Sequence, residues 1–193
     1  MDADAPGLSR RGYDTQDGLR AAEISLNGVK VDADALIGPA GQALPIIERV
    51  ADEAMAALCA EAVGAMSEAQ ALTLDYIKVR KQFGAPIGSF QALQHRAAEM
   101  LVQLELARSM AMYATAQAGL DDAQERHAAV QAAKVQIGRS ARFVGQQAIQ
   151  LHGGVGVTNE YKVAHCFKRL TMIDKMFGDA EHHLALLADA LTV

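Results

Sequence analysis

From about residue 45 to residue 80 the chain places Ile47, Val50, Ala54, Ala57, Leu58, Ala65, Ala69, Leu72, Tyr76 and Val79 mostly three or four residues apart, the repeat of one helical face. Pro45 stands where a first turn tolerates it. One helix over this stretch is about 50 Å long at roughly 1.5 Å per residue. A small globule has no use for such a rod, so it spans a sizeable bundle or reaches a partner.

The sequence that follows supplies a bundle. Behind a break at Gly84 to Gly88, Ser89 is a good N-cap for a second helix with the stripe Phe90, Leu93, Ala97, Leu101, Leu104, Ala107 and Ala111. A third helix carries Ile137, Ala141, Val144, Ala148 and Leu151 and ends at Gly153-Gly154, where a left-handed cap is tolerated. A fourth runs to about Phe177, and a short fifth follows Gly178 with Asp179 as its cap. Alanine interleaved with leucine and methionine lets helix axes approach closely. The expected fold class is all-α, an antiparallel helical bundle.

Ahead of Gly41 the pattern differs. Ile24, Leu26, Val29 and Val31 surround Asn27-Gly28, which predicts two short strands joined by a tight turn at that dipeptide. A lone hairpin is marginal. The expected division is a short β segment over residues 1–40 and a helical domain over 41–193.

Composition narrows the function. With 18 Lys and Arg against 23 Asp and Glu, the net charge of -5 gives no general attraction for phosphate backbones, so nucleic acid is not an expected partner. No apolar run approaches the roughly 18 residues that span a membrane, and the first residues lack a signal peptide's apolar core. No membrane contact is expected, and a cytoplasmic location is the default. Cys59 and Cys166 lie far apart in apolar helical contexts and read as core thiols. Asp179, His182 and His183 suggest metal ligands, but adjacent histidines on a helix point about 100° apart. No metal site is expected.

Two glycine stretches can carry chemistry. In "RKQFGAPIGSFQ", Arg80 at a helix end and the helix start near Ser89 put guanidinium donors beside free backbone N–H groups, which suits an anion. In "QLHGGVG", residues 150 to 156, the third helix ends in backbone that a ligand can approach closely. Loop glycines and a helix-capping arginine are the plain alternative for each.

The two stretches together carry a resemblance. "DYIKVRKQFGAPIGSFQALQHRAAEMLVQLELAR", followed further on by "AIQLHGGVGVTNEYKVAHCFKRL", resembles the C-terminal helical domain of the acyl-CoA dehydrogenase flavoprotein family. It pairs Arg-x-x-Phe-Gly-x-x-Ile-x-x-Phe-Gln with Gln-x-x-Gly-Gly-x-Gly, and it runs from about Pro45 to the end. Residues 8 to 38 resemble the last strands of the family's middle β domain. Family members carry an N-terminal helical domain and most of a β domain ahead of this point, so the chain resembles roughly the C-terminal half of a subunit.

The resemblance implies FAD as cofactor. Its diphosphate is touched by the loop mapping onto Arg80, Lys81, Gln82 and Phe83, with Phe90 and Gln91 at the next helix start. The element mapping onto Gln150, Leu151, His152, Gly153 and Gly154 acts with it across a subunit interface. An acyl-CoA substrate, a homo- or heterotetramer with itself or a paralogous subunit, and electron-transfer flavoprotein as a partner are implied in the same way.

The chemistry is where the chain departs from that pattern. The family's reaction needs a carboxylate to take the proton alpha to the thioester, in many members a Glu in a Tyr-Glu-Gly-Thr turn between the last two helices. Here the turn reads "KMFGDAEHHL" and puts Phe177 at that place, where a phenyl ring accepts no proton. Other members carry the base on the long helix, at a position matching about Ala54. Glu53 beside it points about 100° away. Asp179 is a further candidate, with a helix cap as its plain role, and no catalytic base is assigned.

Three readings stay open: a dehydrogenase with its base elsewhere, a base-deficient subunit that shares flavin in a heteromer, and a non-enzymatic helical interaction module. Phe177 favours the second over the first. The joint presence of Arg80, Phe83, Gln150 and the glycines argues against the third.

Overall fold

The structure is a computed structural model and describes residues 2–191. It falls into two compact units, 1–50 and 51–193. In the first, β1 (Leu8–Asp14) pairs antiparallel with β2 (Arg20–Leu26), from Leu8 opposite Leu26 to Asp14 opposite Arg20. The chain reverses through residues 15–19, where Thr15 N donates to Leu19 O at 2.8 Å. The turn expected at Asn27-Gly28 is therefore misplaced. Asn27 N donates to Gly7 O at 2.8 Å and prolongs the ladder, while Val29 and Val31 lie outside any strand. The strand that pairs with Ile24 and Leu26 lies upstream, and its Ser-Arg-Arg-Gly run hides the apolar alternation that marks a strand.

The helices are α1 (Leu44–Val79), α2 (Gln91–Gln117), α3 (Ala123–His152), α4 (Lys162–Lys175) and α5 (Ala180–Leu191). Cross-links give their directions. Gln70 Nε2 donates to Ala97 O at 3.0 Å and Arg108 Nη2 to Ser67 Oγ at 3.4 Å, so α2 runs against α1. Arg96 to Gln147 at 2.7 Å and Ser140 to Gln103 at 3.0 Å reverse α3 against α2. Lys162 to Glu68 at 2.7 Å and Arg169 to Glu61 at 2.6 Å set α4 against α1. Asp52 meets Arg126, and Tyr76 stacks on His152, so α1 and α3 run parallel. The result is the up-down-up-down bundle that the sequence predicts.

Met66, Met100, Ile137, Val144, Leu170 and Ile173 fill the core, and Ala62, Ala107, Ala133, Ala141 and Ala148 let the axes close on them. Cys59 and Cys166 are free and buried, and burial pushes the Cys59 thiol up to about 11. Among the described residues no helix is long and apolar enough to cross a membrane.

Three local expectations are corrected. The innermost line of α1 is Asp52, Met55, Cys59, Met66, Gln70, Thr73 and Ile77, whereas Ile47, Val50, Ala57 and Val79 are exposed. Polar residues on that line misaim a stripe drawn from apolar ones alone. On α2, Leu101 and Phe90 are exposed and Met100 takes the inward place. Ser89 is not the cap. Phe90 holds the N-cap position, and Ser89 Oγ donates to Pro86 O at 2.7 Å.

Candidate cofactor cleft

Past Val79 the chain makes a miniature hairpin of β3 (Lys81–Gln82) and β4 (Ala85–Pro86), with Gln82 opposite Ala85. Its two turn residues, Phe83 and Gly84, have φ of 53° and 80°, the signs that a type I′ turn demands. Ile87 N closes the base on Arg80 O at 2.8 Å. The break between α1 and α2 is thus a tight reversal that leaves Arg80 at its foot. At the end of α3, Gly153 takes φ of 64°, a conformation for which glycine is the ready choice.

Because α1 and α3 are parallel, their C-terminal ends lie at one end of the bundle. They frame a cleft of about 650 Å³ lined by Tyr76, Arg80, Gln82, Ile87, Leu93, Gln150, Leu151, His152, Gly153, Gly154 and Val155. Of the residues expected from the sequence, the cleft gathers Arg80, Gln82, Gln150, Leu151, His152, Gly153 and Gly154. It does not gather Lys81, Phe83, Phe90 or Gln91. Lys81 and Gln91 are exposed, and Phe83, 93% exposed, meets Phe90 edge-on at 6.2 Å beyond the cleft lining. Tyr76, Ile87, Leu93 and Val155 are lining residues that the sequence reading missed. Tyr76 stands one helical turn before Arg80, which is the signal that could have found it.

The cleft's polar groups are few and distinct. Among the described residues no carboxylate pairs with the Arg80 guanidinium. His152 is 3% exposed, and its Nδ1–H donates to Ala148 O at 2.7 Å. Its ring stacks on Tyr76 at 4.5 Å and tilts against Tyr161 at 5.0 Å. Nε2 has no hydrogen-bond partner. Burial lowers the His152 pKa, outweighing the bond to Ala148 O and the nearby Leu72 backbone, with which Nε2 makes no hydrogen bond of proper geometry, so the ring is neutral near pH 7. A Cβ at Gly153 or Gly154 would meet nothing, so a ligand can reach that backbone. One free guanidinium, two primary amides, accessible backbone and a neutral aromatic wall suit a flat, anionic molecule rich in hydrogen-bonding groups.

The turn that carries Phe177 lies elsewhere. Lys134, on α3, donates to the carbonyls of Ile173, Asp174 and Met176 at 2.8, 3.3 and 2.9 Å. Lys134 and His152 are 18 residues apart on α3, about 27 Å at 1.5 Å per residue. Phe177 sits in left-handed backbone, φ 58°, half exposed. Asp179 accepts from Lys175 at 2.7 Å and from His182 N at 3.1 Å. Those bonds pull its carboxyl down to about 2, so it is a cap and a poor proton acceptor. Glu53 is exposed, and the buried acid is its neighbour Asp52, held by Arg126 Nε at 2.9 Å and His127 Nδ1 at 2.8 Å. His182 is exposed and His183 buried, their rings edge-on at 5.2 Å.

Comparison with known proteins gives one answer. Residues 44–192 match the acyl-CoA dehydrogenase C-terminal domain family. The probable acyl-CoA dehydrogenase YngJ of Bacillus subtilis is 34% identical over 191 residues, which cover 97% of this chain and 50% of that protein. Among solved structures, the ChsE4-ChsE5 complex from Mycobacterium tuberculosis superposes with a TM-score of 0.88 at 25% identity, covering 100% of this chain and 51% of that one. Butyryl-CoA dehydrogenase from Megasphaera elsdenii gives 0.88 at 27% identity with the same coverage. The chain spans about half the length of the relatives it matches.

Proposed function

The chain belongs to the acyl-CoA dehydrogenase family, and from that premise we propose that it forms the C-terminal half of an FAD-dependent dehydrogenase subunit whose cleft holds flavin nucleotide. The supporting observation is the convergence of Arg80, Gln82, Gln150 and the Gly153-Gly154 backbone on one cleft. Bound FAD supplies the acceptor for the hydride that leaves the β carbon of an acyl-CoA thioester. Arg80 binds the diphosphate as a fork of donors. Gln82 and Gln150 would offer the nucleotide hydrogen bonds from the same lining, and Tyr76 with His152 would form an aromatic wall beside it. Lys81, Phe83, Phe90 and Gln91 lie outside that wall and meet whatever covers the cleft. Residues 1–40 are the end of a middle β domain, and 41–193 the helical domain.

Phe177 favours a narrower reading, that of a base-deficient subunit sharing flavin with a paralogue that holds the carboxylate. Neither Asp179, capped and held near 2, nor the exposed Glu53 offers a poised base. The cleft and the Phe177 turn stand roughly 27 Å apart along α3, too far to serve one reacting centre, so the cleft completes a flavin site whose chemistry is done by another chain. Acyl-CoA is then the substrate of the assembly, and an electron-transfer flavoprotein its electron acceptor. The test is flavin absorbance of the chain purified alone and co-expressed with a related subunit. Flavin that survives Arg80→Ala undiminished sinks the cleft assignment. Bleaching by acyl-CoA with this chain alone sinks the base-deficient reading.

A further inference from the structure

A second cavity, of about 530 Å³, lies between α1 and α2. Leu74, Ile77, Ala97, Ala98 and Leu101 give it an apolar wall, and the two alanines leave the room. It shares no lining residue with the cofactor cleft: Pro86 and Gly88 line this cavity, while Ile87 between them lines the cleft. Its size and its few polar groups are those of a small-molecule site. A partner helix needs an open channel with repeated anchors. Here the hairpin foot walls one end, packed onto α1 so tightly that a Cβ on Gly88 would lie 2.9 Å from Ile77 O.

Two polar groups of the lining define the occupant. Gln70 is 5% exposed, and its Nε2 donates to Ala97 O at 3.0 Å. A carbonyl can only accept, so the amide orientation is fixed and Oε1 must look elsewhere for a donor. It has none. A buried carbonyl left without a donor is costly, and the soft terminal torsion of glutamine lets the oxygen turn to a donor in the cavity. Lys78 is the one charged residue of the lining among the described residues. Its ion pair with Asp75, at 3.6 Å, is 68% and 81% exposed, a surface pair too weak to keep the ammonium from another anion.

Eight residues separate Gln70 from Lys78 on α1, about 12 Å at roughly 1.5 Å per residue. A chain of about ten carbons spans that length with C–C bonds of about 1.5 Å. We propose that this cavity binds an anionic amphiphile, with an apolar body in the wall of Leu74, Ile77 and Leu101, a hydroxyl on Gln70 and a carboxylate on Lys78. The site does not depend on the flavin assignment.

The experiment is calorimetric titration of the full 193-residue chain with ω-hydroxydecanoate, decanoate and decanediol. The hydroxy acid should bind with Kd below about 100 µM, and decanoate about tenfold more weakly, for want of the donor to Gln70. Gln70→Leu should bring the hydroxy acid down to the affinity of decanoate. Lys78→Gln should weaken both acids about threefold to fivefold and leave decanediol unchanged. Ala98→Phe, at an exposed lining position, should fill the cavity and abolish binding with unchanged helical circular dichroism. Ala98→Phe and Lys78→Gln decide the matter even where Gln70→Leu fails to fold. No binding at about 1 mM, equal affinity of the wild-type chain for the two acids, or binding that Ala98→Phe leaves intact overturns the site. In the last case, loss of binding in Arg80→Ala assigns the acid to the cofactor cleft instead.

Discussion

The two ends of the bundle treat their polar groups in opposite ways. At the end where α1 and α3 begin, Asp52 is held by Arg126 and His127, and Arg126 also donates to Leu120 O at 2.8 Å. Lys134, 1% exposed, caps three carbonyls at the end of α4. Asp174 accepts from Arg142 at 3.4 Å and from Ala180 N at 3.4 Å, and it fits only because a Cβ at Gly138 is missing. At the cleft end, Arg80 has no acid and His152 Nε2 no partner. Answered polar groups hold the fold, and unanswered ones mark where something else must complete it. Two groups depart from this at the braced end: His183 is buried with neither ring nitrogen bonded, and Asp52 Oδ1 accepts no hydrogen bond although His127 Nδ1 lies 2.8 Å away.

The contrast can be broken most forcefully at Asp52. Asp52→Ala leaves the Arg126 guanidinium buried without its acid, with only the bond to Leu120 O remaining, which costs about 3–5 kcal/mol. Urea unfolding should show that loss, while flavin retention by the surviving folded protein stays unchanged. A loss near zero would mean that the braced end does not hold the fold. Lys134→Ala comes next. It strips three carbonyls of their donor and should cost about 2–3 kcal/mol, with faster proteolysis at Lys175 as the local readout.

The third prediction uses pH. Burial, with Lys134 and His182 adding repulsion, lowers the His183 pKa from its ordinary 6.5. The unfolded chain therefore takes its proton first as pH falls. The stability that neutral His183 contributes is present above pH 6.5 and is lost as pH drops from there to the folded value. Urea midpoints should fall between pH 7.5 and 5, and His183→Leu should flatten the fall. His152 shifts in the same direction, so part of the fall should remain in the His183→Leu variant.

Why one end was legible in the sequence and the other was not follows from these residues. The cleft is built from glycines, an arginine at a helix end and a spaced Gln-x-x-Gly-Gly, all visible as departures from helical sequence. The brace is made of charged residues inside helices, which read by default as solvated. Yet Lys134 precedes Ile137, Gly138 and Ala141 at helical spacing, and Asp52 precedes Met55, Ala56 and Cys59 in the same way. Each charge lies on an apolar stripe, a pattern that flags a buried partner. The helix lengths were legible because long periodic runs leave little choice. The β1–β2 turn was not, because Arg10 and Arg11 mask their strand.

At the cleft end the fold should tolerate more. His152→Phe keeps the ring stack on Tyr76 and loses one bond to Ala148 O, so stability should change by about 1 kcal/mol or less. Flavin affinity should drop if Nε2 receives a donor from the ligand. Equal affinity would assign the buried nitrogen to packing alone.

The smallest effect should come from Phe83. Its φ of 53° is costly for a bulky side chain, and its ring is 93% exposed, so it gains little by burial in return. Asparagine adopts that conformation readily. Phe83→Asn relieves the strain and gives up one exposed edge contact with Phe90, two terms of about 1 kcal/mol that nearly cancel. Stability should therefore hold or rise by about 0.5 kcal/mol, while assembly with the proposed paralogous subunit should weaken. That opposite pair of signs is what a strained residue kept for contact produces. A variant that loses stability and keeps assembly would place Phe83 with the fold, and the hairpin tip would then resemble the braced end rather than the cleft.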